Sequence, residues 1–339
     1  MAPVKNGQVI LNEVPKAGII PGQTTVYREE NLDIDATPLN GGFLVKTLTF
    51  SIDPVIFGRM KGPPPFGYTL GGPINNLGGG RVLRSEHPSF KVGDLVTGMM
   101  NFEEYVVVPA AQASMFETVD SSISLSARMG AAGLSGKTAY YGWKAYAPPS
   151  SKGNVCFVSS GAGAVGSIVI QLAKRDGYKV IASAGTDEKV STMKDLGADV
   201  AFNYKTTATK DVLAKEGLIN VYWDNVGGAT LEAAIDAAAP RAHFIECGML
   251  SGYLGESYHI KNLFMTIPKE VQLHGFIAVG WMEENWGREF RETMPKLIAS
   301  GEIKYKEELI KGLDKAAEAV TAQLEGKNVG KPVLIVADE

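Results

Sequence analysis

The stretch SSGAGAVG, residues Ser159 to Gly166, follows the apolar run NVCFVS and leads into AVGSIVIQLAKRDG. Its glycines are spaced Gly161-x-Gly163-x-x-Gly166. NVCFVS has the composition of a strand. In the segment after it, Val165, Ile168, Val169 and Leu172 recur on one helical face. The glycines therefore sit at a strand-to-helix turn. Glycine costs backbone entropy on folding, so three of them there imply a requirement. The first allows a tight turn, the second lets the backbone approach a pyrophosphate, and the third lets helix and strand pack closely. The N-terminus of the following helix offers N–H groups and its dipole to that phosphate. The alternative is a glycine-rich turn with no ligand, and the strand–turn–helix context argues against it.

Alternation of strands and helices continues outward from this turn. KVIAS, DVAFN, INVYWDNV, HFIECG and QLHGFIAV read as strands, with helices such as DEKVSTMKDLG and ATLEAAIDAAA between them. Thr186 or Asp187 can cap the first of these helices, and Gly197 ends it. This pattern predicts an α/β fold with a doubly wound parallel sheet. Before about Ser121 the pattern differs. QVILNE, TTVYREE, GGFLVKTLTFSID, RVLRSE, DLVTGMM and EEYVVVP are short strands separated by Gly, Pro and Asn. They predict a mostly antiparallel β domain, folded as a distorted barrel, with TLGGPINNLGGG as a loop. After Trp281 an amphipathic helix, ENWGREFRETMPKLIASG, precedes a tail ending in PVLIV, which is expected to return to the β domain. The expected division is 1–125 with 296–339 as a β-rich substrate domain, and 126–295 as the dinucleotide-binding domain.

Composition agrees. A chain of 339 residues exceeds one ordinary core, and 45% hydrophobic with 21% charged residues is usual for a soluble protein. The net charge of -4, without a long like-charge run, argues against nucleic acid as a partner. Cys156 and Cys247 are the only cysteines and make no disulfide framework. No stretch of membrane-spanning length is apolar, and the N-terminal segment lacks a signal-peptide core, so no membrane is expected and the expected setting is cytoplasmic.

The cofactor can be read further. An NAD site places an acid about 20 residues after the glycines. Here that stretch is Ile181 to Thr186, with no acid, and Lys189 follows on the next helix. A neutral strand end with a nearby ammonium suits a 2′-phosphate, hence NADP(H). The alternative for Lys189 is a solvated helix lysine. None of His87, His243, His259 and His274 stands at ligand spacing to a cysteine or another histidine, so no metal is expected. Without a Lewis acid an isolated carbonyl is hard to reduce. A conjugated C=C bond needs less help, because the charge spreads into an enolate that one or two donors can hold.

In order, GLSGKTAYYG, SSGAGAVGSIVIQLAK, TDEKV, FNYKT, YWDNVGG, CGMLSGY and GKNVGK resemble the zinc-independent medium-chain dehydrogenase/reductases. They are most similar to the prostaglandin reductase and alkenal double-bond reductase branch, over nearly the whole chain. The resemblance implies a Rossmann domain with a GroES-like mostly-β domain, often as a homodimer. It implies NADPH-dependent reduction of the C=C bond of α,β-unsaturated ketones and aldehydes. It places Gly163, Ala164, Val165 and Gly166 at the pyrophosphate, and Lys189 and Tyr204 at the 2′-phosphate. Asn225, Cys247, Gly248, Ser251, Tyr253, Phe276, Ile277, Ala278 and Asn328 would line the cofactor, with Thr138 near the nicotinamide amide. Tyr253 is the catalytic candidate, either as donor to the substrate oxygen or only as a positioning residue. Cys247 and Cys156 read as packed thiols rather than nucleophiles.

The sequence also departs from the family. Val55 stands where a tyrosine often faces substrate, which enlarges the pocket and favours a bulkier, more apolar enone. Phe66, Tyr68 and Tyr258 either wall that pocket or pack elsewhere. Quinone reduction, oxidation of an allylic alcohol, and a non-catalytic nucleotide-binding scaffold are the competing readings on the same fold.

Overall fold

Short Val-, Thr- and Phe-rich segments build the first strands: β1 (Val4–Leu11), β2 (Thr25–Leu32), β3 (Phe43–Ser51), β4 (Asn75–Ser85), β5 (Leu95–Asn101), β6 (Tyr105–Val108) and β7 (Phe116–Val119). Two short helices, α1 (Val55–Lys61) and α2 (Leu125–Met129), lie among them. The computed structural model describes residues 3–63, 66–255 and 258–338. It divides into two units, 1–133 with 307–339, and 134–306.

The second unit contains α3 (Leu134–Tyr146), β8 (Val155–Val158), α4 (Gly166–Arg175), β9 (Lys179–Ala184), α5 (Asp187–Asp195), β10 (Val200–Asn203) and α6 (Thr209–Glu216). It continues with β11 (Ile219–Asp224), α7 (Gly228–Ala237), β12 (Ala238–Glu246), β13 (Gln272–Gly275) and α8 (Trp281–Ala299). The chain then rejoins the first unit with β14 (Glu307–Lys311), α9 (Ala316–Leu324) and β15 (Lys331–Ile335).

In the first unit the strand order is β14-β15-β3-β4-β5-β7, with β6 added to β3 and β1 paired with β2. Its pairs are antiparallel apart from β14 with β15. The order has two free ends, so hydrogen bonds do not close the expected barrel among the described residues. Asn75–Gly80, expected in a loop, is the first half of β4. The reason is lateral packing. A Cβ on Gly78 would lie 2.7 Å from Met100 and 2.8 Å from Phe50, and one on Gly79 would lie 2.8 Å from Leu125. The glycines make room for neighbours instead of turning the chain. Leu125, Ala127 and Met129 of α2 are buried, and the helix packs on β3 and β4, which carries the first unit past the expected edge at residue 125. The other expected edge, at 295, falls inside α8. That helix continues through Pro295, with Phe290, Met294 and Ile298 buried along one face. A buried ion pair ties the end of β3 to the start of β15. Lys331, 3% exposed, donates to Asp53 at 2.6 Å and to the Ile52 carbonyl at 2.5 Å. Asp53 also accepts from Asn76 at 2.9 Å.

The second unit is a six-stranded sheet in the order β10-β9-β8-β11-β12-β13, and every ladder in it is parallel. This is the doubly wound order of dinucleotide-binding domains. All four residues of β8 are buried, as strands covered by helices on both faces require. Phe157 stacks on Tyr222 at 5.0 Å across β8 and β11, within a core that includes Ile181, Leu213, Ile235 and Phe244.

Candidate cofactor and catalytic site

The ends of β8 and β11 lie side by side where the strand order reverses, the place at which open α/β sheets take ligands. The tight turn after β8 falls on Ser160, with φ of 51°, rather than on Gly161. Gly161 is needed for space: a Cβ there would lie 2.8 Å from Met193 and 2.9 Å from Ala182. Its N–H reaches the Ser183 carbonyl at 2.9 Å and ties the turn to β9. A Cβ on Gly166 would run into the Ser160 carbonyl oxygen and lie 2.9 Å from the Gly161 Cα, so this glycine lets α4 start directly against the turn.

Gly163 differs from both. A Cβ there would meet only Ser160, at 3.1 and 3.2 Å. The protein itself barely needs this glycine, and a side chain would fill the space in front of α4. The N–H groups of Ala164, Val165 and Gly166 meet no acceptor among the described residues. Open space, aligned donors and a helix N-terminus fit a diphosphate.

The ends of β9 and β10 fit the second phosphate of NADP(H). The Tyr204 N–H bonds the Ala184 carbonyl at 3.0 Å. Tyr204 is 52% exposed and stands beside Gly185, where a Cβ would lie 3.2 Å from its ring and hydroxyl. The Lys205 side chain is also there, at 3.3 Å from that point. Lys189 occupies the first turn of α5, which Thr186 caps by accepting the Lys189 N–H at 3.3 Å. The nearby acid Asp187 accepts from Asn203 at 2.9 Å. Lys205 is a further cation beyond those expected from the sequence, and its signal is its place next to Tyr204 in FNYKT.

The loops after β11 and β12 are zippered together. Asn225 donates its backbone N–H to Ser159 Oγ at 2.9 Å and its amide to the Ser159 carbonyl at 2.7 Å. The N–H groups of Cys247 and Gly248 both reach the Asp224 carbonyl, at 2.9 and 3.0 Å. Leu250 bonds Asn225, and Ser251 bonds Val226 through its N–H and its hydroxyl, the latter at 2.6 Å. Gly227 and Gly228 take φ of 68° and 56°, which only glycine adopts freely, and open α7. Asn225, Cys247, Gly248 and Ser251 are thus brought onto the same strand ends as the glycine turn.

Tyr253 follows directly and is half-buried. Burial and the neighbouring Cys247 raise its phenol above the ordinary value near 10, so it is a protonated donor at neutral pH. Burial and Asp224 push the Cys247 thiol up to about 12, which fits a packed thiol rather than a nucleophile. Cys156 is fully buried in β8.

Phe276 packs on Trp223 at 5.8 Å and on Tyr146 at 6.0 Å, Ile277 is exposed and Ala278 is buried. Thr138 lies in α3 and donates its hydroxyl to the Leu134 carbonyl at 2.8 Å. Val55 and Asn328 belong to the first unit: Val55 is exposed at the start of α1, and the Asn328 amide donates to the Gly330 carbonyl at 2.6 Å. Tyr68 is buried under Arg59 at 4.3 Å, Phe66 is exposed, and Tyr258 donates to Glu232 at 2.7 Å. Among the described residues no three His, Cys, Asp or Glu side chains are grouped as metal ligands, and no helix is long and apolar enough to cross a membrane.

Residues 164–299 match the family model of zinc-binding dehydrogenases, and residues 8–116 match that of the N-terminal domain of oxidoreductases. The chain is 35% identical to the (+)-pulegone reductase of Mentha piperita, over 99% of this chain and 100% of that protein. It is 35% identical to an NADP(+)-dependent 2-alkenal reductase of Nicotiana tabacum, over 87% of this chain and 88% of that protein. Its fold matches the crystal structure of CurA in complex with NADPH from Vibrio vulnificus with a TM-score of 0.87 and 27% identity, over 98% of this chain and 100% of that one. The chain belongs to the medium-chain dehydrogenase/reductase family, in the branch of the NADP-dependent alkenal and enone double-bond reductases.

Proposed function

We propose that this protein uses NADPH to reduce the C=C bond of α,β-unsaturated ketones and aldehydes. The carrying observation is the place of Tyr253: a protonated phenol at the end of a loop tied to the turn after β11, on the strand ends that carry the glycine turn. The named relatives and the NADPH-bound neighbour support the same reading. The N–H groups of Ala164, Val165 and Gly166 hold the diphosphate, and Lys189, Tyr204 and Lys205 hold the 2′-phosphate. The zippered loops fix Asn225, Cys247, Gly248 and Ser251 along the cofactor, with Thr138 and Phe276 to Ala278 beside it. NADPH, when bound, supplies the hydride that the β-carbon of the enone receives. The Tyr253 hydroxyl donates to the carbonyl oxygen and stabilises the enolate charge that develops there. The α-carbon then takes a proton from solvent or through Tyr253, which gives the saturated carbonyl compound.

Free thiols fit a cytoplasmic protein. A homodimer is supported by β13, which ends the sheet and carries exposed Leu273, with Ile277 and Val279 exposed just after it. The test is NADPH oxidation with a panel of enones, enals, quinones and saturated ketones, with product analysis. Fast turnover of enones or enals to saturated carbonyls is expected. Turnover of quinones alone, or of saturated ketones, contradicts the proposal.

A further inference from the structure

Asp224 and Glu246 close β11 and β12 and stand opposite each other in the parallel ladder. One Asp224 oxygen, Oδ1, is saturated. It accepts from the Tyr222 hydroxyl and the Gly227 N–H at 2.7 Å, the Val226 N–H at 2.8 Å and the Ser159 hydroxyl at 3.2 Å. The other, Oδ2, and both Glu246 carboxyl oxygens are buried and meet no donor among the described residues. Two neighbouring carboxylates in such a place cannot both ionise without a large cost. A proton held by one carboxyl is the donor that the other lacks. We propose that Asp224 and Glu246 share one proton, and that this proton keeps the two cofactor-binding loops, 224–228 and 247–253, closed on each other. The inference rests on the cofactor reading given above.

Asp224 is the anchor of the zipper. Its carbonyl receives Cys247 and Gly248, and its carboxylate shapes the turn at Val226 and Gly227. A second charge on Glu246 pushes against that anchor. Burial first, then Asp224, raises the Glu246 carboxyl to about 8. Burial also raises that of Asp224. The other titratable groups facing the pair are Tyr222 on β11 and Cys247 after β12, both held neutral by burial and by the acids themselves. The turn after β8 contributes the uncharged Ser159, whose hydroxyl donates to Asp224. No cation acts on Glu246 among the described residues. A carboxyl raised on folding gives its full stabilisation below the ordinary glutamate pKa, and that stabilisation is lost as pH rises through about 8. Glu246 is therefore a positioning residue whose effect depends on pH.

The test is NADPH affinity by fluorescence titration between about pH 6.5 and 9.5, with the wild type and Glu246→Gln, which keeps a neutral donor at every pH. Wild-type affinity should fall above about pH 8, approaching tenfold per pH unit, and the variant should hold its neutral-pH affinity throughout. Equal falls in both proteins, or a flat wild-type profile, overturn the inference. Infrared difference spectra of the wild type need no variant. They should show a protonated carboxyl at neutral pH that disappears by about pH 9.5, and its absence also overturns the inference. Failure to bind NADPH at any pH contradicts the cofactor reading instead, and the infrared band still decides the shared proton.

Discussion

Alanine at Gly166 and alanine at Gly163 should do opposite things, although the two glycines belong to one motif. At Gly166 a new Cβ would lie 2.9 Å from the Gly161 Cα and collide with the Ser160 carbonyl oxygen. Both obstacles are backbone, so α4 must move away from the turn. Overpacking of this kind costs about 1–3 kcal/mol. Alanine returns up to about 1 kcal/mol in helix propensity, since Gly166 opens α4. Because both obstacles are backbone the upper half of that range applies, and the net loss of about 1–2 kcal/mol lowers the Tm of a unit this size by roughly 2–8 °C. At Gly163 the Cβ meets only Ser160, at 3.1 and 3.2 Å, and a small shift of that residue relieves it. Stability should change by less than about 1 kcal/mol. The methyl group nevertheless takes the space assigned to the diphosphate, and losing about 1.4 kcal/mol of binding is a tenfold weaker Kd. Differential scanning calorimetry and NADPH titration on both variants make the comparison. Gly166→Ala should melt early, and Gly163→Ala should melt near the wild type but bind NADPH at least about tenfold more weakly. A Gly163→Ala protein with wild-type affinity would refute the assignment of that space to a ligand.

Three other outcomes follow from the same geometry. Lys189→Ala should weaken NADPH by about 1.5–3 kcal/mol and leave NADH nearly unchanged, as one charged hydrogen bond to a phosphate is worth about that much; equal losses for both cofactors in paired titrations count against the phosphate role. Tyr253→Phe should lower kcat on enones by roughly 10–100-fold with NADPH affinity retained, because one hydrogen bond to a developing charge is removed; steady-state kinetics with unchanged kcat would leave Tyr253 a spacer. Lys331→Met strips the buried partner from Asp53 and should destabilise the first unit by about 3–5 kcal/mol in chemical denaturation; a loss below about 1 kcal/mol would show that the pair contributes little.

The parts of the fold that were legible in the sequence are those where local pattern and tertiary role coincide. VCFV is apolar because β8 is covered on both faces, and the Thr186 cap is real because α5 starts there. Where a residue's role is lateral, the pattern misled. Gly78, Gly79 and Gly80 have the composition of a loop because glycine usually punctuates, yet Gly78 admits Phe50 and Met100, Gly79 admits Leu125, and Gly80 admits Val45 and the Lys46 carbonyl. QLHGFIAV read as one strand, but only Gln272–Gly275 pairs, and Phe276 leaves the sheet to pack against Trp223. β14 carries no strand signal in the sequence, because EELIK is a half-exposed, charge-rich edge strand without apolar alternation. At the site, the glycine turn and Lys189 could be read from spacing. The Asp224–Glu246 pair could not, since the register between β11 and β12 is what brings the two acids together.

The central claim is hydride delivery to a conjugated carbon, and labelled cofactor tests it most directly. Turnover of an enone with NADPH carrying deuterium at both C4 positions of the nicotinamide, followed by NMR of the product, locates the transferred atom. One deuterium is expected at the β-carbon of a saturated ketone, with hydrogen from solvent at the α-carbon. Deuterium at the carbinol carbon of an allylic alcohol, the former carbonyl carbon, would contradict it.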